Sequence, residues 1–69
     1  MIEIFKTNVE ETNDANNIIE LLLEHFPCSK INFDLYDCDK ILRVEGRDFS
    51  NDKVMKLLHK NGFHCEILE

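Results

Sequence analysis

Sixty-nine residues make one domain and leave no room for a second, and a chain this short buries only about 60% of its unfolded surface. Apolar residues at 43%, with five Phe among them, exceed what disordered chains carry, so the chain is expected to fold. Fourteen Asp and Glu against eight Lys and Arg leave a net charge of −6, the wrong sign for a phosphate backbone, and no nucleic-acid partner is expected.

The opening run Met1-Ile2-Glu3-Ile4-Phe5-Lys6 lacks a basic segment followed by a long apolar one. No stretch approaches the roughly 18 apolar residues of a membrane span, so the expectation is a cytoplasmic chain with no membrane segment. Residues 2–9 have strand composition, but two inner faces compete: Ile2 with Ile4, or Phe5 with Thr7 and Val9. From about Thr12 the period changes, and Ala15, Ile18, Ile19, Leu22, Leu23 and Phe26 recur at helical spacing. Thr12 or Asn13 can cap this helix, and Pro27 stops it. Glu10, Glu11 and Asp14 place negative charge at the positive end of its dipole.

Ile31, Phe33 and Leu35 alternate with Asn32, Asp34 and Tyr36, the cleanest period-two segment of the chain. Asp37-Cys38-Asp39 supplies turn chemistry before a second strand over residues 41–45, so the two read as a hairpin ended by Gly46. Ser50 is a good N-cap for a second helix, and Phe49 and Val54 have the spacing of a hydrophobic staple. Val54, Leu57 and Leu58 form its inner stripe, Asn61-Gly62 ends it, and Phe63 to Leu68 reads as the last strand. The order β, α, β, β, α, β with right-handed crossovers predicts an α+β, ferredoxin-like sandwich over residues 1–69. Its four-stranded antiparallel sheet has strand order 4-1-3-2 and both helices on one face. The loop after the first strand, the hairpin turn and the turn at residues 61–63 then emerge at one end.

Leu23-Glu24-His25-Phe26-Pro27, Ile31-Asn32-Phe33-Asp34-Leu35, Arg43-Val44-Glu45-Gly46 and Leu57-Leu58-His59-Lys60-Asn61-Gly62-Phe63 resemble the heavy-metal-associated domain, the fold of copper chaperones, over nearly the full length. That resemblance implies a metal-binding loop, Met-x-Cys-x-x-Cys, after the first strand, where two thiolates at a helix start hold a soft ion. Counted back from Pro27, those cysteines fall on Thr12 and Ala15, and a one-residue shift lands on Glu11 and Asp14. Neither alignment has a thiol, so the chain reads as a divergent relative whose binding residues do not carry over.

Cys28, Cys38 and Cys65 are odd in number and widely spaced, unlike a disulfide framework. Cys65 is expected on the buried face of the last strand, and Cys28 at the opposite end from Cys38. Cys38, with His59 approaching it, is the alternative candidate for a Cu or Zn ligand. His25, His59 and His64 show no ligand spacing among themselves. The favoured candidate site is the acidic end, Glu10, Glu11, Asp14, Asp37 and Asp39, opposed mainly by Lys40 and Lys60. It suits a basic protein surface. No Ser-His-acid order and no Gly-rich phosphate loop are present, so neither catalysis nor a cofactor is expected. The outer strand of the hairpin, Ile31 to Tyr36, has an open edge through which a homodimer could form.

Overall fold

The computed structural model describes residues 1–69. It contains six elements: β1 (Ile2–Thr7), α1 (Thr12–His25), β2 (Lys30–Asp34), β3 (Ile41–Glu45), α2 (Asn51–Lys60) and β4 (Cys65–Ile67). Strands pair antiparallel in the order β2-β3-β1-β4, the α+β ferredoxin-like arrangement. The competition in β1 is resolved in favour of Phe5 and Thr7, with Val9 continuing their side past the strand. All three are buried, whereas Ile2 is 51% exposed. The reason lies in the partners: Phe5 is level with Leu42 of β3, and Leu42 and Val44 are fully buried on the same face.

Both helices cover that face. Ala15, Ile18 and Leu22 of α1 and Val54 and Leu58 of α2 join Phe5, Leu42, Val44 and Phe49 in one buried cluster. α1 lies over β2, and α2 lies over β4. At about 25 cal/mol per Å² of apolar area removed from water, such side chains supply most of the drive to fold. Ile19 is only half-buried, and Leu23 stays 36% exposed, because both sit on a flank of the helix rather than on its inner stripe.

The ends of the two helices differ. The residue before α1 is Glu11, extended at φ −90° and ψ 135°, and no side chain caps the helix. Thr12 therefore lies inside the first turn rather than at the cap position expected of it. α2 begins as expected, with Ser50 Oγ accepting from the Lys53 amide at 3.4 Å, while Phe49 and Val54 are both buried. It ends at Gly62, whose φ of +89° suits glycine. There the Gly62 amide donates to the His59 carbonyl, and the Phe63 amide donates to the Leu58 carbonyl, each at 3.0 Å. This double closure is a Schellman motif. Phe63 is thereby used as part of the helix cap, which is why β4 starts at Cys65 and not at Phe63. Ile67, two residues on from buried Cys65, is 38% exposed at the sheet margin.

Candidate functional site

The end of the molecule that follows β1 is organised by Thr7, the one buried polar residue. Its hydroxyl donates to the Lys40 carbonyl at 2.6 Å and accepts from the Val9 amide at 3.2 Å. Its own amide donates to the Asp39 carbonyl at 3.0 Å. These bonds leave no orphan at a buried hydroxyl and tie the loop after β1 to the hairpin turn. Lys40, at φ +45°, takes a left-handed conformation unusual for a residue with a β-carbon. Its amide donates to the Asp37 carbonyl at 3.0 Å and its carbonyl receives the Thr7 hydroxyl, so neighbours on both sides hold it. The third loop joins through the His64 amide, which donates to Asn8 Oδ1 at 2.8 Å. Three segments distant in sequence thus meet at one end.

Within that end the five predicted carboxylates occupy separate positions. Asp37 and Asp39 lie in the hairpin turn, where Asp37 Oδ1 accepts from the Asp39 amide at 2.8 Å. Asp39 pairs with Lys6 at 3.7 Å. The expected counter-charge Lys40 is occupied elsewhere, its ammonium donating to the Leu35 carbonyl at 2.9 Å. Glu10 borders a depression shared with Thr12 and Phe33 to Tyr36. Glu11 is exposed at the start of α1. Asp14 lines an open groove of about 440 Å³ beside Asn61 and Phe63, together with Glu20 and Glu24. Glu20 and Glu24 extend the acidic surface beyond the predicted set. The signal for them was in plain view: no Lys or Arg occurs between Lys6 and Lys30, a span holding Glu10, Glu11, Asp14, Glu20 and Glu24.

The sulfur and imidazole groups sort themselves by the same geometry. All three cysteines are free; Cys28 and Cys38 are exposed and Cys65 is buried. Burial pushes the Cys65 thiol from 9.0 up to about 12, and the Glu66 carboxylate adds to the rise, so this sulfur behaves as a small hydrophobe. Cys28 borders the depression formed by Met1, Lys30 and residues 45–48, away from the hairpin turn that carries Cys38. Asp37, Cys38 and Asp39 bring one ligand atom each within 4.8 Å of one another, an arrangement able to hold a cation. His59 does not join them, and its Nε2 donates to the Cys65 carbonyl at 3.1 Å. His64, just before β4, is exposed beside buried Cys65.

Fold and site together define an α+β ferredoxin-like protein with an acidic, three-loop end. No helix is long and apolar enough to cross a membrane. Comparison with protein-family models, with curated proteins and with solved structures finds no match to the chain.

Proposed function

We propose that this chain is a non-enzymatic protein-interaction or regulatory module, a divergent relative of the heavy-metal-associated domains without their thiol pair, whose acidic end docks a basic protein surface. One observation carries the reading: of Glu10, Glu11, Asp14, Asp37 and Asp39, only Asp39 has an ion-pair partner. Carboxylates left without local counter-charge project a negative field that speeds encounter with a cationic surface and orients it. Glu10, Glu11 and Asp14 make no side-chain hydrogen bond that their reversal would break. The triple variant Glu10→Lys, Glu11→Lys, Asp14→Lys tests the surface, with circular dichroism as a check of folding because it sets positive charge against the dipole of α1. Partners captured quantitatively by the unmodified chain should be lost or weakened at least about tenfold by the variant, a change of about 1.4 kcal/mol. Capture that is unchanged and insensitive to salt would refute the docking role.

A second reading, transition-metal binding, is favoured by the close approach of Asp37, Cys38 and Asp39 ligand atoms. Anaerobic Zn(II) or Cu(I) titration tests it. Binding abolished in Cys38→Ser supports this reading, and the absence of submicromolar binding rejects it.

A further inference from the structure

We infer that the chain forms a two-fold symmetric dimer by antiparallel pairing of β2 with β2 of a second copy, centred on Asn32, with the uncharged flank of α1 packing across the same axis. β2 is an edge strand, hydrogen-bonded only to β3, so one side of its backbone lacks a sheet partner. Which residues offer that side follows from the register. The Gly46 amide donates to the Met1 carbonyl, and in an antiparallel ladder such narrow pairs recur at every second residue. Val44 and Leu42 therefore direct their backbone groups to β1, while Glu45, Arg43 and Ile41 direct theirs to β2. Their partners are Lys30, Asn32 and Asp34. The backbone groups of Ile31 and Phe33 consequently point outward, free for another strand.

Pairing centred on Asn32 sets Ile31 opposite Phe33 of the second copy, twice, each a narrow pair able to exchange two hydrogen bonds. On the open face of the sheet it sets Lys30 opposite Asp34 of the second copy, also twice. Oppositely charged residues directly across a ladder attract, and like charges there repel. Sliding the pairing to the next register on either side puts Lys30 opposite Asn32 or Tyr36 and loses both charge pairs. The sequence of β2 is thus self-complementary in one register.

α1 supplies an independent observation. Its residues Asp14, Asn17, Leu21 and Glu24 line the groove toward Asn61 and Phe63 at the end of α2. At 3.6 residues per turn the opposite flank carries Thr12, Asn16, Ile19 and Leu23, and Thr12 borders the depression with Phe33 to Tyr36 beside the β2 edge. This flank has no charge and contains the partly exposed Ile19 and Leu23. Asp14 and Glu24 of α1 lie away from it, whereas Glu20, four residues after Asn16 and three before Leu23, borders it, and Glu10 borders the depression beside the β2 edge. Ile31 and Phe33, half-buried at the margin of the core, would lose their remaining exposure in the same contact. The dimer does not depend on the role proposed for the acidic end.

Sedimentation equilibrium and light scattering over a range of concentrations test the inference on the full chain, with circular dichroism as a check of folding. The unmodified chain should show twice the monomer mass of 8.2 kDa. Asp34→Lys and Lys30→Glu each create two like-charge pairs and should each raise the dimer dissociation constant at least about tenfold. An equimolar mixture of these two variants restores two opposite-charge pairs and should be a heterodimer. Leu23→Lys should be monomeric with an unchanged dichroism spectrum. A monomer at all concentrations, a dimer indifferent to Asp34→Lys, or a mixture that stays monomeric would each overturn the inference; the mixture keeps the test decisive even where a single variant is less stable.

Discussion

The two halves of the molecule, α1 over β2 and α2 over β4, solve the same packing problem by different means. α2 is closed locally at both ends, by the Ser50 side chain and by the glycine turn at Gly62, and carries Lys53, Lys56 and Lys60 against Asp52. α1 has no side-chain cap at its start and no lysine or arginine at all. A helix without such local closure holds its place through its buried stripe, since packing rather than propensity supplies most helical stability in proteins. Every carboxylate on its polar surface, Asp14, Glu20 and Glu24, is then free of a lysine or arginine neighbour within the helix. The half with the weaker local design is the half that presents both proposed contacts, the acidic end and the β2 edge.

Core truncation probes that contrast most strongly. Leu22 and Leu58 are both fully buried, so Leu22→Ala and Leu58→Ala should each cost about 2–5 kcal/mol in denaturant melts. A loss at Leu22 much smaller than at Leu58 would show that α1 is not held by its stripe. The next effect belongs to the α2 half alone. The Cys65 thiol, pushed up to about 12 in the folded chain, keeps its proton where the unfolded chain begins to lose it, near 9.0. Above that value the unfolded state binds fewer protons than the native one, so stability falls as pH rises toward about 12 and is unaffected by this group below 9.0. Denaturant melts across that interval should decline less steeply in Cys65→Ala than in the unmodified chain, with Cys28→Ala as the control. Smallest are the helix ends: Ser50→Ala should destabilise by about 1 kcal/mol, whereas Glu11→Asp, which supplies a cap and keeps the charge, should stabilise by about 0.5–1 kcal/mol. If both cap substitutions prove neutral, the difference between the helices is not one of local closure.

Much of the architecture was legible before the structure. The 3.6-residue period of Ala15, Ile18 and Leu22, the alternation of Ile31 and Phe33, Ser50 and Gly62 all act over a few residues, and each appears where its local chemistry places it. Less legible were positions where a local preference met a competing demand. Phe63 has strand composition but serves the cap of α2, and Leu35 continues an alternating run but falls in the hairpin turn. Of the candidate site, the gathering of the three loops at one end follows from topology. The staple made by Thr7, the Lys6 to Asp39 pair and the separation of His59 from Cys38 depend on contacts across many residues.

Sequence alone thus carried the element order, the caps of α2, the net charge and the lack of a thiol pair after β1, because composition and short-range periodicity depend on neighbours a few positions apart. Tertiary structure was needed to choose the inner face of β1, to divide the carboxylates between the hairpin and the helix groove, and to turn the backbone groups of Ile31 and Phe33 toward the open sheet edge. Those outcomes rest on register between strands and on which helix flank meets which partner. Both quantities exist only once the chain has closed on itself.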